Sequence, residues 1–335
     1  MHKSFKDIFQ EYNEISLRYD VENQAIWCYF NPQPRPCFST VMLKELKQMQ
    51  QSIKECLHPE NISSKYPVRY FILASQSPGV FNFGGDLNLF TQLILTKNRE
   101  QLFEYAKDCI DICYLNAASY HLPITTISLV EGSALGGGFE AALSSNVLIA
   151  EKQAELGLPE SRFNLFPGMG AYSFLARSLG MNAAETIITS GKIYDAHELY
   201  EMGLVKVLAE PGGGHEAVKE YITKHRRSRN SLQAMQAVRH FYNPISYDEL
   251  LGITKIWVDA ALRLEHSDLR KMERFSRAQS SKNSITTSQD NKLNILRTKQ
   301  DRRFNSRDIT FPLANNSGQE VKFDRREFVD RRLCN

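Results

Sequence analysis

The sequence predicts an α/β protein, and three observations carry that reading. Apolar-rich runs suited to buried strands, at 68–74 and 124–130, alternate with longer stretches of helical spacing until about residue 210. The chain has 335 residues, of which 42% are hydrophobic and 24% charged, enough to bury one large core or two modest ones. From residue 211 to about Arg277 only helical signals remain, predicting a C-terminal helical region laid over one face of that core.

The elements follow in order. Ile15 to Tyr19 and Ala25 to Phe30 flank a polar turn and suit a hairpin. From Ser39 to Leu57 the spacing of Val41, Met42, Leu43, Leu46 and Met49 predicts a helix, with Ser39 or Thr40 as its cap. Val68 to Ala74 is a buried strand, Leu87 to Thr96 and Arg99 to Ser119 are helices, and Pro123 introduces a second buried strand. Arg277 to Asn291 is dominated by polar residues and has the composition of a linker. The organisation is therefore a core over 1–210, a helical region over 211–277, and a polar linker with a basic tail over 278–335.

Charge narrows the function. Residues 291–335 hold eleven Lys or Arg against six acids, so a net charge of +3 for the whole chain leaves the rest slightly acidic. The body thus carries no nucleic-acid footprint, and the basic tail reads as a solvated arm, with docking to an acidic partner second. The six cysteines make no metal or redox motif and are expected to be reduced, and the eight histidines show no ligand spacing, so neither a metal nor a cofactor is expected. With no signal-peptide core at the start and no apolar run of bilayer length, the expected location is the cytoplasm.

Three segments carry chemistry. Residues 75–90 contain Gly84 and Gly85 between a strand and a helix, where the absence of Cβ atoms lets a ligand approach main-chain N–H groups. Residues 130–140 leave a strand and open a helix at Gly136, Gly137 and Gly138; the free N–H groups of a helix start suit a developing oxyanion, and Glu140 falls on its first turn. The loop lacks the Lys-Ser/Thr of a phosphate-binding loop and the spacing of a dinucleotide fingerprint. Residues 155–170 place Glu160 after a proline among Leu156, Leu158, Phe163, Leu165 and Phe166, an apolar setting that raises a carboxyl pKa towards neutrality. Singly, each is explained by capping, turning or solvation; together, two carboxyls in unequal settings make an acid and base pair.

In this order the three segments resemble the crotonase superfamily of enoyl-CoA hydratases and isomerases, as does Gly-Leu-Val at 203–205 ending a helix, so that the likeness covers about 12–265. The resemblance implies a spiral of ββα units followed by helices. It implies oxyanion N–H donors at Gly85 and Gly137, with Gly84 and Gly136 beside them in the substrate-binding backbone, catalytic glutamates at Glu140 and Glu160, and a homotrimer. Asn146 departs from the Asp common there.

Residues 83–90, 139–143 and 163–172, with the Arg-rich tail, resemble a narrower group, the bacterial diffusible signal factor synthases. That likeness implies a 3-hydroxyacyl group on acyl carrier protein, dehydrated to a cis-2-enoyl thioester and released by hydrolysis as a quorum-sensing fatty acid. It also suggests Met169 and Trp257 as walls of the acyl pocket, beside ordinary core packing, and a regulatory protein partner such as a sensor-kinase receiver domain. The alternatives are a hydratase or isomerase acting on CoA esters, and a non-catalytic interaction protein. Which glutamate acts as acid and which as base stays open at this stage.

Overall fold

The structure, a computed structural model, describes residues 5–57, 66–286, 313–314 and 320–321. β1 (Ile15–Asp20) and β2 (Ala25–Phe30) form the expected hairpin, pairing Ile15 with Phe30 and Asp20 with Ala25. The helix α1 (Thr40–Cys56) starts at Ser39, whose Oγ accepts from Met42 N at 2.9 Å, and buries Met42, Leu43, Leu46, Met49 and Ile53 along one stripe. Next come β3 (Tyr70–Ser75), β4 (Val80–Asn82), α2 (Leu87–Leu95) and α3 (Arg99–Ala117). Two further strand–strand–helix passages follow: β5 (Thr125–Val130), β6 (Ser133–Leu135) and α4 (Gly137–Leu143), then β7 (Val147–Glu151), β8 (Glu155–Gly157), a 3-10 turn (Pro159–Phe163) and α5 (Ala171–Leu179). The core closes with α6 (Met181–Ser190), β9 (Ile193–Asp195), α7 (Ala196–Glu201) and β10 (Val207–Ala209).

Each passage contributes its first strand to one sheet and its second to another. The six-stranded sheet has the order β1-β2-β3-β5-β7-β10, parallel from β2 onward, and the four-stranded sheet runs β4-β6-β8-β9. This is the α/β spiral of ββα units. Strands β2, β3, β5 and β7 are almost wholly buried because both faces of their sheet are covered, which accounts for their near-continuous apolar character. Ile26, Phe71 and Leu73 join the main core on one face; Trp27, Ile72, Ile127 and Leu129 form a smaller cluster on the other.

Four helices follow: α8 (Gly214–His225), α9 (Arg229–Tyr242), α10 (Tyr247–Ala261) and α11 (His266–Thr286). They do not all cover one face, as the sequence suggested. Val218 and Ile222 of α8 pack on the smaller cluster, whereas α10 lies against α3, and α11 against α2 and the Pro159–Phe163 turn. The helical region also extends past Arg277, where a linker was expected, because α11 continues to Thr286. The chain divides there, with Met1–Thr286 as one compact unit and Thr287–Asn335 as a second. In the second unit β11 (Leu313–Ala314) pairs antiparallel with β12 (Glu320–Val321), and the rest of the basic tail lies outside the described residues.

Among the described residues five cysteines are free and buried, and no helix is long and apolar enough to cross a membrane. Asn146 serves as an anchor at the start of β7: its Oδ1 accepts from Ser119 Oγ, Thr126 N and Thr126 Oγ1 at 2.8–3.0 Å.

Candidate active site

Strands β4, β6 and β8 are parallel neighbours, so the three segments that leave their C-terminal ends meet. These are Gly84–Gly85, Gly136–Gly137 and Pro159–Glu160. The approach is backbone against backbone: a Cβ on Gly84, which has φ +87°, would lie 2.6 Å from Gly137 N. Gly136, at φ +54°, has equally little room, because a Cβ there would stand 2.5 Å from Glu160 Oε1. Glycine is required at both positions by dihedral and by space.

Both loops are also pinned. Gly84 N donates to Asn82 Oδ1 at 2.7 Å, and Gly136 N to Gly157 O at 2.8 Å. Among the described residues the next N–H in each loop, on Gly85 and on Gly137, has no acceptor. Gly137 is the first residue of α4, so its N–H has no intrahelical partner and stands at the positive end of the helix. The two donors belong to one cavity wall, with Phe90 packed on Gly85 and Met169 on Gly137.

Glu140 is fully buried on α4. Its Oε1 accepts from Met169 N at 2.7 Å and Ala171 N at 2.9 Å, while Oε2 is buried without a partner. Burial pushes its carboxyl well above the usual range, and the two backbone N–H groups pull it part of the way back. Glu160 sits in the Pro159–Phe163 turn, held where Asn164 adopts a left-handed conformation and Leu165 N returns to Glu160 O at 3.1 Å. Its Oε2 is likewise buried without a partner. Its carboxyl is also raised, first by burial and then by repulsion from Glu140, with its own backbone N–H offsetting part of this. A buried polar atom without a partner is rare enough to need a cause. Here the two residues that carry such oxygens line one cavity.

That cavity spans about 880 Å³ including its open mouth. One end carries Gly85, Gly136, Gly137, Glu140 and Glu160; the remaining wall is apolar. Met169 and Trp257 both line it, and Trp257 meets Phe90 edge to face at 5.2 Å. Several wall residues were missed in the sequence, four of them with large or reactive side chains. Tyr105 and Cys109 project from α3 at a spacing of one turn, a signal present but common to any amphipathic helix; Phe90 lies on α2, and Phe275 on α11 beside the supposed linker. The arrangement as a whole can hold a developing oxyanion at two N–H donors and move protons through two carboxyls of unequal acidity.

The family model for enoyl-CoA hydratase/isomerase matches residues 37–250, a span that contains every one of these groups except Trp257 and Phe275. The chain belongs to the enoyl-CoA hydratase/isomerase family. Among family relatives, a probable mitochondrial enoyl-CoA hydratase 2 of Arabidopsis thaliana is 31% identical over 186 residues, 56% of this chain and 58% of that protein. The human mitochondrial methylglutaconyl-CoA hydratase is 31% identical over 149 residues, 44% of this chain and 42% of that one. The chain thus spans about half the length of the curated relatives it matches. Solved structures share the fold. An enoyl-CoA hydratase from Bacillus anthracis superposes with TM-score 0.60 at 22% identity, covering 80% of this chain and 98% of that one. DspI of Pseudomonas aeruginosa superposes with TM-score 0.55 at 20% identity, covering 73% and 93%.

Proposed function

We propose that this family member dehydrates a 3-hydroxyacyl thioester carried on acyl carrier protein to a cis-2-enoyl thioester, and then hydrolyses it to the free acid. The observation that carries the reading is the pair of unpartnered carboxyl oxygens, Glu140 Oε2 and Glu160 Oε2, in one cavity with the N–H groups of Gly85 and Gly137. The thioester carbonyl accepts from those two N–H groups, each worth about 3 kcal/mol when negative charge gathers on the oxygen. An α-proton then passes to one carboxylate, and the 3-hydroxyl leaves as water with a proton from the other carboxyl. The pair ends with the proton it began with, moved from one member to the other.

The base must start ionised and the donor protonated; burial raises both carboxyls, so the pair can hold one proton between them, and solvent-isotope exchange in the single Gln variants assigns which member is the base. In the release step water adds to the same polarised carbonyl, a carboxylate accepts its proton, and the carrier leaves as the thiol. The likeness of residues 83–90, 139–143 and 163–172 to diffusible signal factor synthases supports the carrier, the cis product and its use as a signal. The relatives named as CoA hydratases favour a second reading, in which a CoA ester is dehydrated or hydrated without release. Offering purified protein the same 3-hydroxyacyl chain on both carriers separates the two: free acid from the protein carrier supports the first, and enoyl-CoA without free acid supports the second.

The proposal includes self-association, with the homotrimer implied by the family resemblance. It is supported by α9, which buries none of its residues and exposes Met235, Val238, Phe241 and Tyr242, with Phe241 92% exposed.

A further inference from the structure

The oxyanion loop is held from outside by a strap that the proposed chemistry does not use. Residues 35–38 run beside 83–86: Phe83 N donates to Pro36 O at 2.7 Å and Phe38 N to Gly84 O at 2.8 Å. At the end of this strap Arg35 Nη2 donates to both oxygens of Asp86, at 2.9 and 3.0 Å. Asp86 follows Gly85 directly and caps α2, its Oδ1 accepting from Asn88 N at 3.0 Å and Leu89 N at 3.3 Å. Its own N–H donates to Tyr105 Oη at 3.1 Å, and Tyr105 donates in turn to Phe38 O. The peptide that follows Gly85 is therefore fixed through both its side chain and its N–H. The second arm of the guanidinium, Nη1, donates to Ser276 Oγ at 3.2 Å on α11, and Ser276 donates to Asn88 Oδ1.

We propose that Arg35 is a positioning residue: one guanidinium sets the Asp86 cap, and thereby the direction of the Gly85 N–H, and ties both to α11 along the wall of the cavity. Three features make Arg35 suited to this. The pair is mostly buried, at 17% and 20% side-chain exposure, so solvent screens it weakly. The planar guanidinium serves two directions at once, whereas an ammonium is a point charge. The group it aligns acts on developing charge, where small misplacement costs rate rather than binding. The same α11 is also held in its first turn, by Asp268 Oδ2 accepting from Asn164 Nδ2 at 3.1 Å, and Phe275 meets Phe163 at 5.6 Å. A single helix thus braces both the oxyanion loop and the turn that carries Glu160.

The inference rests on the oxyanion role proposed for Gly85. The test compares full-length wild type, Arg35→Gln, Arg35→Lys and Ser276→Ala by steady-state kinetics, and by infrared difference spectroscopy. The probe is a saturated acyl-pantetheine analogue with an amide in place of the thioester, isotope-labelled at its carbonyl. Wild type should lower the bound carbonyl stretch. Arg35→Gln should lose half or more of that shift and about ten- to a hundredfold in kcat, with KM changed less than about threefold. Arg35→Lys should fall between the two, which keeps the test open if the Gln variant does not fold, and Ser276→Ala should keep the full carbonyl shift. A wild-type carbonyl shift and kcat in Arg35→Gln, or in Arg35→Lys where that is the folded variant, would overturn the positioning role alone. So would a lost kcat with an unchanged carbonyl shift. A wild-type enzyme that leaves the carbonyl unshifted would overturn the oxyanion reading and this proposal together.

Discussion

At the scale of single residues the site is governed by what surrounds two carboxyls. Glu140 and Glu160 differ in one respect that matters: the N–H groups of Met169 and Ala171 reach Glu140, whereas Glu160 has only its own backbone N–H against burial and the repulsion of Glu140. Glu140→Gln and Glu160→Gln should each lower kcat for dehydration by about a hundred- to ten-thousandfold, and turnover near wild type in either would remove that residue from proton transfer. Solvent-isotope exchange at the α-carbon divides the roles further. The Gln variant that has lost the base should lose exchange, whereas the variant that has lost only the donor should retain it; the same outcome in both would contradict a division of roles. Gly136→Ala should fail differently: a Cβ 2.5 Å from Glu160 Oε1, on a residue at φ +54°, displaces that carboxylate. We expect at least a tenfold loss in kcat, checked by the same assay. These residues were legible in the sequence because triple glycine and a glutamate on the first turn have few combined explanations. The Arg35–Asp86 pair was not legible, since ion pairs between residues so far apart in the chain leave no local pattern.

At the scale of elements, the hairpin, the Ser39 cap and the alternation of strands and helices were readable from periodicity and capping residues, and their limits moved by only a few positions. The division of second strands into a separate sheet was not. Strands as short as Val80–Asn82 and Ser133–Leu135 are below the length at which alternation shows. The end of the helical region was misplaced because the sequence from Arg277 to Thr286 is polar and offers no apolar periodicity to read as a helix. α10 brings Trp257 to the cavity, where it fills space against Phe90 and Gly168. Trp257→Ala should cost about 3–5 kcal/mol of stability in chemical denaturation and shift the preferred acyl chain towards longer or bulkier groups in competition assays. Unchanged chain preference would make Trp257 core packing only.

At the scale of the molecule, two buried carboxyls tie stability to pH. Both have folded pKa values raised from 4.5, to about 7 and about 8, so between these limits the folded state holds more protons than the unfolded chain. Their contribution is therefore greatest below pH 4.5 and is lost as pH rises, by at most about 1.4 kcal/mol per pH unit for each group. Denaturation midpoints followed from pH 5 to 8 should fall less steeply in Glu160→Gln than in wild type, and parallel curves would contradict the raised value. The apolar face of α9 has its own test. Phe241→Asp should shift sedimentation towards monomer, and an unchanged species would place that face outside any self-contact. The most direct measurement is mass spectrometry of the products formed by purified wild-type protein from a 3-hydroxyacyl-carrier protein. The account predicts free cis-2-enoic acid, with its formation abolished in Glu140→Gln and Glu160→Gln; recovery of the intact 3-hydroxyacyl carrier from wild type would contradict it.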